Sequence, residues 1–350
     1  MKILLVGGGT LGSISPLLAI AQEISSRKPG IIFEFWGLAK NLEKQFVTEA
    51  GISYKTIPAG KFRRYFSFWN VTDVFKILFG FIVASIKLRQ LRPNLILTAG
   101  SFVAVPVVWA AKRLGIPVFM YQQDVELGLA NRLICRRANY KVAASEISAK
   151  AVPGGAEILG FALRQDLFSG QKVKVLEKYK LNPALPVLLL VGGSSGALAL
   201  NKALLEALPK VSPRIQILHL TGQGKINPSP NRSGYVAIPF INRDFPDLLA
   251  AADLVISRAG SNALAEILAL KKPVIIVPLP NSHQERNAEF LSSHGALVLT
   301  QASLTPDFFS EILNAYLLDR SKLEKLSQKL QGLWKFNGSQ KIAEYILSKI

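Results

Sequence analysis

The chain has 350 residues, 49% apolar and 19% charged, a size above one ordinary core and a composition that excludes disorder and predicts two globular domains. Its single cysteine, Cys135, excludes an internal disulfide framework and a multi-cysteine metal site, and fits a reducing compartment. A net charge of +19 implies attraction to polyanions, meaning nucleic acid or an anionic lipid surface.

The chain opens on the strand-like run Lys2–Val6, which meets Gly7-Gly8-Gly9-Thr10-Leu11-Gly12-Ser13. That apolar run is too short for a secretory signal. Pro16 stands where a helix begins, and Leu17–Ile24 shows helical apolar spacing. Such a strand–loop–helix unit brings backbone N–H groups and a helix N-terminus up to an anion, typically a phosphate. Gly7-x-Gly9-x-x-Gly12 also matches the dinucleotide fingerprint, which wants an acid at the end of the next strand. That strand, Ile31–Gly37, ends without an acid and has Glu34 in its middle, which disfavours NAD.

A basic and aromatic stretch follows, marked by Arg63, Arg64, Phe68, Trp69, Lys76, Phe79 and Phe81. Between Gly60 and Arg92 seven Lys or Arg stand against one acid, Asp73. The apolar run Ile77–Ile86 is too short to cross a bilayer, and no run elsewhere approaches the roughly 20 residues needed. Cationic flanks around aromatics suit a peripheral contact with anionic lipid. The plain alternative is a buried helix behind a surface loop. Nucleic acid is not expected as a partner, because no binding module or aromatic RNP-like strand is present.

Strand and helix then alternate: Pro93–Ser101, a helix from Pro106 to Leu114, a strand Pro117–Tyr121, then Gln122-Gln123-Asp124. The rhythm loosens between Gly160 and Pro186 and restarts at Val187–Val191 with the loop Gly192-Gly193-Ser194-Ser195-Gly196 and a helix Ala197–Leu208. Further strands read near Gln216–Leu220, Tyr235–Ile238, Leu254–Ile256 and Val274–Val277. The predicted fold is α/β, with two doubly wound Rossmann-like domains facing across a cleft and loops gathered at strand C-termini.

The second half is most specific at Ser257-Arg258-Ala259-Gly260-Ser261-Asn262-Ala263-Leu264-Ala265-Glu266. A strand ends there, a tight turn follows, and a helix starts whose N-terminus can meet a diphosphate. Glu266 lies a turn and a half along that helix, where a carboxylate can accept from both hydroxyls of a ribose. The loop Pro278–Ala288 carries amide groups suited to sugar hydroxyls, Gln284 among them. Each element alone has a bland reading as solvated surface; their order together carries the signal.

These residues resemble the MurG family of GT-B glycosyltransferases (glycosyltransferase family 28). The resemblance runs from Gly8–Gly12 through Gly100–Val103, Gly115–Val118, Asn131, Arg164, Val191–Asn201, Phe240-Ile241 and Arg258–Glu266 to Gln284 and Asn287-Ala288. It implies an inverting transfer of N-acetylglucosamine from UDP-GlcNAc to the lipid-linked acceptor lipid I, giving lipid II on the cytoplasmic face of the plasma membrane. It implies an N-terminal acceptor and membrane-facing domain over residues 1–162 and a donor domain over 163–335, with a helix in 336–350 returning to the first. Ile241 and Ser261–Leu264 would take uracil and diphosphate, with Arg258 at the turn. Glu266 would hold the ribose and Gln284 the sugar. Ser194 and Arg164 would also line the donor, with Asn201 behind the Gly192–Gly196 loop. Thr10, Leu11 and Gly12 would close the site. Phe102, Tyr121, Gln122 and Asn131 would lie on the acceptor side with Ser13.

Departures from the family pattern fall in the acceptor half. Ser13 stands where the family has His, Tyr121-Gln122-Gln123-Asp124 where it has His-Glu-Gln-Asn, and Phe102 where it has Tyr. Inverting transfer needs a base within reach of the acceptor hydroxyl. A serine hydroxyl cannot serve unaided, so Asp124 is the substitute, unless it only orients the acceptor or caps the next helix. His219, in an apolar strand, reads as structural. No metal cofactor is expected, since helix N-termini and Arg can neutralise the leaving diphosphate. Two alternatives stand beside this reading: a UDP-sugar transferase with another lipid-linked acceptor, and a homologue that binds UDP-sugar without turnover.

Overall fold

A computed structural model of the chain describes residues 1–60, 69–193, 196–222, 224–225, 230–241 and 243–350, with the backbone alone for 69–72 and 74. Two compact units divide it, Met1–Arg164 with Lys335–Ile350, and Gln165–Trp334.

The first unit is a parallel sheet of β1 (Lys2–Val6), β2 (Ile32–Gly37), β3 (Ser53–Thr56), β4 (Leu95–Thr98), β5 (Val118–Gln122), β6 (Tyr140–Ala143) and β7 (Glu157–Ile158). Their order is β3-β2-β1-β4-β5-β6-β7. Its helices are α1 (Ser15–Arg27), α2 (Asn41–Glu49), α3 (Trp69–Leu91), α4 (Ala104–Arg113), α5 (Leu129–Ile134) and α6 (Glu146–Lys150). The central strands read as nearly unbroken apolar runs because helices cover both faces of a parallel sheet; β4 and β5 are buried at every position.

The second unit repeats the plan with β8 (Val187–Val191), β9 (Gln216–Leu220), β10 (Tyr235–Ile238), β11 (Leu254–Ser257), β12 (Val274–Ile276) and β13 (Leu297–Val298), in the order β10-β9-β8-β11-β12-β13. It carries α7 (Lys172–Lys178), α8 (Leu198–Ala207), α9 (Phe245–Ala251), α10 (Ser261–Ala269), α11 (Gln284–Ser293), α12 (Pro306–Leu317) and α13 (Arg320–Gln328). Leu188, Leu190, Leu254 and Ile256 from the sheet meet Leu200 and Leu204 of α8 and Phe309 and Leu313 of α12 in its core.

The last helix, α14 (Gly338–Leu347), packs on α1 and completes the first unit. Phe161 N–H donates to Lys335 O at 2.8 Å and Gly338 N–H to Phe161 O at 3.0 Å, so the returning chain is stitched to the end of the first segment. Arg27 and Glu344 pair at 2.9 Å, and Tyr345 stands edge-on to Phe119 and Tyr140.

In each sheet the chain order reverses once. Strand β1 lies between β2 and β4, pairing Val6 with Thr98, and β8 lies between β9 and β11, pairing Val191 with Ser257. A ligand of an open α/β sheet sits outside the strand C-termini at such a switch point. The loops after β1 and β4, and after β8 and β11, are therefore the places to look. Short polar strands, notably β3 and β7, escape a reading by apolar runs because they are mostly exposed.

Candidate active site

At the first switch point, the loop Gly7–Ser13 is bound mainly to its own protein. Gly7 N–H donates to Trp36 O at 3.2 Å, and Ile14 N–H to Leu11 O at 3.0 Å. Gly8 N–H donates to Ser13 Oγ at 3.2 Å, whose own O–H lies within reach of Thr10 O and Gly8 O. Gly9 N–H donates to Glu43 Oε1 at 2.8 Å. Gly8 and Gly9 take φ of 147° and 91°, conformations that glycine adopts at no steric cost. A Cβ on Gly9 would press on Phe102 at 3.1 Å. Thr10 and Gly12 are the exposed residues of the loop, and Leu11 is half-buried. Ser13 thus braces the turn through both faces of its hydroxyl.

The loop after β4 joins it. Ser101 holds φ of 121°, a conformation costing about 1–3 kcal/mol for a non-glycine residue. Its hydroxyl donates to Gly8 O at 2.7 Å and accepts from Val103 N–H at 3.2 Å, which over-determines the strained backbone. At β5 the sequence QQD turns away under local control. Gln122 Nε2 donates to Asp124 O at 2.7 Å and Glu126 O at 3.1 Å, and its Oε1 accepts from Asn131 Nδ2 at 2.6 Å. Gln122 and Asn131 are buried and shape the loop, while Asp124 is half-buried on it. Tyr121 is fully buried; its hydroxyl donates to Gly160 O and accepts from Ala162 N–H, and burial raises its pKa. Arg164, at the end of this segment, belongs to the first unit, with its guanidinium 5.5 Å from the Phe46 ring.

At the second switch point Gly260 precedes α10 in an extended conformation, without a side-chain cap on the helix N-terminus. Ser261 is buried, Ala263 partly exposed, and Leu264 fully buried with its N–H on Gly260 O at 3.0 Å. Asn262 Nδ2 donates to Glu266 Oε1 at 3.0 Å, while Asn262 Oδ1 is buried without a protein donor. Glu266 itself is 7% exposed. A buried carboxylate beside an unmatched amide oxygen, just inside a positive helix end, is a site shaped for hydroxyl donors and an anion.

Two residues hold this turn. Arg258, read from sequence as a donor contact, is buried: Nη1 donates to Val277 O and Pro278 O, at 3.2 and 2.9 Å, and Nη2 to Gln301 Oε1 at 2.6 Å. Burial lowers its pKa. Asn287 of α11 donates to Ala259 O at 2.9 Å. Gln284 opens α11, half-buried, with Oε1 accepting from Leu279 N–H at 3.1 Å, and Ile241 is half-buried in the loop after β10.

Behind the Gly192–Gly196 loop lies a buried chain. Tyr235 OH meets His219 Nδ1 at 2.8 Å, and His219 Nε2 meets Asn201 Oδ1 at 2.9 Å. Asn201 Nδ2 donates to Thr221 O at 2.8 Å, the carbonyl against which Gly196 packs. An amide oxygen only accepts, so Nε2 carries the imidazole proton and Nδ1 receives the tyrosine hydroxyl. Burial lowers the His219 pKa to about 4, keeping the ring neutral. Ser194 lies outside the described residues.

Helix α3 extends beyond its apolar run at both ends and exposes Phe75, Leu78, Phe79, Ile82 and Ile86, a ridge at helical spacing. Phe81 points instead to the core built by Ala84 and Leu88. Lys76 is exposed and pairs with Asp73 at 3.3 Å. Arg63, Arg64 and Phe68 fall outside the described residues, as does the side chain of Trp69. Among the described residues no helix is long and apolar enough to cross a membrane.

Sequence reasoning missed Glu43 and gave Ser101 no role within the Gly100–Val103 motif. The fingerprint asks for an acid at the end of the second strand; the acid comes in the following helix and turns back on the loop. That displaced acid was the available signal.

The glycosyltransferase family 28 N-terminal domain matches residues 3–142, and the family 28 C-terminal domain matches residues 187–345. A relative from Lachnoclostridium phytofermentans, named UDP-N-acetylglucosamine–N-acetylmuramyl-(pentapeptide) pyrophosphoryl-undecaprenol N-acetylglucosamine transferase, is 38% identical over 92% of both chains. A Clostridium botulinum protein of the same name is 34% identical over 93% of this chain and 90% of its own. Among solved structures, Acinetobacter baumannii MurG superposes with a TM-score of 0.72 at 24% identity over 99% of each chain. The Neisseria meningitidis UDP-GlcNAc 2-epimerase bound to UDP-GlcNAc gives 0.71 at 15% identity, over 99% of this chain and 100% of its own. At these identities the structural likenesses speak for the two-domain GT-B fold.

Proposed function

From the premise that the chain belongs to glycosyltransferase family 28, we propose that it transfers N-acetylglucosamine from UDP-GlcNAc to undecaprenyl-pyrophosphoryl-MurNAc-pentapeptide, making lipid II for peptidoglycan. The observation that carries the donor side is the Asn262–Glu266 pair at the open N-terminus of α10. Glu266 takes the ribose hydroxyls, and the helix end meets the diphosphate. Arg258 acts at one remove, fixing the turn that aims those amides.

In the reaction the acceptor hydroxyl attacks the anomeric carbon from the face opposite UDP. A new C–O bond forms, the bond to the diphosphate breaks, and a base takes the hydroxyl proton. Ser13 is engaged with its own loop. Asp124, half-buried two residues past β5, takes that role on this reading. The departing UDP is stabilised by the α10 amides and dipole, so transfer proceeds in EDTA. The apolar ridge of α3, with Lys76 beside it, rests on the anionic cytoplasmic leaflet where the lipid-linked acceptor lies.

The test is purified protein with UDP-GlcNAc and lipid I. Formation of lipid II supports the reading; UDP binding with no product rejects it. The bracing role of Ser13 favours one second reading, a UDP-sugar binder without turnover, and the same assay separates them. Product with another lipid-linked acceptor, and none with lipid I, would redirect the acceptor assignment.

A further inference from the structure

The loop after β5 has its backbone carbonyls held by side chains, and one side chain holds two of them. Gln122 is 1% exposed, and its own carbonyl accepts the Ala144 N–H at 2.9 Å. Its Nε2 donates to Asp124 O at 2.7 Å and to Glu126 O at 3.1 Å, which uses both protons of the amide. Its Oε1 accepts from Asn131 Nδ2 at 2.6 Å. Beside it, the buried Ser148 of α6 donates through Oγ to Gln123 O at 2.8 Å. Arg132 Nε of α5 donates to Leu127 O at 2.9 Å. The carbonyls of residues 123, 124, 126 and 127 are thus tied to β5, α5 and α6, and Asp124 lies within the stretch so tied. Carbonyl oxygens only accept, so these partners demand an amide at position 122 and fix which way it points.

We infer that Gln122 is the positioning residue of the proposed base: its amide fixes the backbone that aims the Asp124 carboxylate at the acceptor hydroxyl. The inference rests on the reading of Asp124 as that base. A general base works only within hydrogen-bond reach of the proton it takes, so it depends on whatever holds its backbone. A half-buried loop residue has no strand or helix of its own to supply that precision. Gln122 supplies it from the last position of β5, which makes the loop a rigid extension of the sheet. Glutamate of the same length would set an oxygen against Asp124 O and Glu126 O and bury a charge that those carbonyls cannot compensate.

Steady-state kinetics with UDP-GlcNAc and lipid I test this in full-length wild type, Gln122→Glu, Asp124→Asn and the double variant. Gln122→Glu is expected to lower kcat by about 10–100-fold, the loss expected for a displaced catalytic group. Donor KM, and UDP affinity by calorimetry, should stay within about twofold of wild type. In the Asp124→Asn background the same change should move kcat by less than about twofold, because the group it positions is gone. Unchanged kcat in a folded Gln122→Glu overturns the proposal. So does an equal loss in both backgrounds, which a general weakening of the loop would produce. Gln122→Met removes the donors without burying a charge, and it carries the same cycle if the glutamate variant does not fold. The reading of Asp124 fails separately: near-normal kcat in Asp124→Asn rejects it and leaves Gln122 no base to position. Absence of lipid II with the wild type ends both.

Discussion

The two units place a glycine-bearing loop and a helix at the switch point of a parallel sheet, and there the likeness stops. In the first, Ser13, Glu43 and Trp36 take the amides of Gly8, Gly9 and Gly7. In the second, α10 starts from Gly260 without a side-chain cap, and a buried amide oxygen beside Glu266 has no donor. The glycine amides of one loop are taken by its own protein, while the helix end of the other carries no side-chain cap. Glycine spacing reports that a backbone can approach a phosphate; it does not report which groups already occupy the amides.

The proposed function puts the base in the first unit and the donor in the second, and the strongest blow to that proposal would come at Asp124. Asp124→Asn should lower kcat by about 10²–10⁴-fold, the range for a lost general base, and leave UDP affinity unchanged. A near-normal kcat would leave the first unit without a chemical role at that position. The next effect concerns the second unit alone, since all three histidines lie there. His219 takes a proton near pH 6.5 when unfolded and only near about 4 when folded. Between those values the unfolded chain holds more protons, so stability is full above the upper value and falls as pH drops towards the lower. The loss should reach about 3 kcal/mol. Denaturant titrations at pH 7 and 5 should show about 2 kcal/mol of it, and His219→Gln should flatten the pH dependence.

Glu266→Ala sharpens the same contrast with a binding readout. Losing a carboxylate's hydrogen bonds to ribose costs about 1.5–3 kcal/mol, so the donor KM should rise roughly 10–100-fold. Unchanged donor kinetics would move the ribose elsewhere. The smallest effect belongs to Ser13→Ala, which strands the Gly8 N–H. About 1 kcal/mol of stability should go, lowering Tm by roughly 2–4 °C, with kcat reduced far less than by Asp124→Asn. A collapse of kcat with Tm unmoved would make Ser13 a chemical residue and not a brace.

Much of this was legible in the sequence. Central strands such as Val187–Val191 announce themselves because burial on both faces leaves no polar position, and the turn into Ser261–Glu266 combines a strand end, glycine and helix start in one short stretch. His219 read correctly as structural for the same reason, since an apolar strand surrounds it. What was not legible depends on side-chain direction. Arg258 read as a donor contact and turns inward to carbonyl groups of another loop. Tyr121 and Gln122 looked like acceptor residues and are buried in hydrogen bonds that shape their own loop. Phe79 and Phe81 sit two residues apart, and helical geometry sends one to solvent and the other to the core.

The return of α14 to α1 has a consequence for biosynthesis. The first unit's opening segment leaves the ribosome before the second unit exists, yet the helix that covers α1 is encoded at the very end. At ordinary elongation rates of about 5–20 residues per second, α1 waits roughly 15–60 s for its partner. During that interval the Phe119 and Tyr140 rings that Tyr345 will meet are also open to chaperones and to wrong neighbours. The half of the chain that is made first is the half that is finished last.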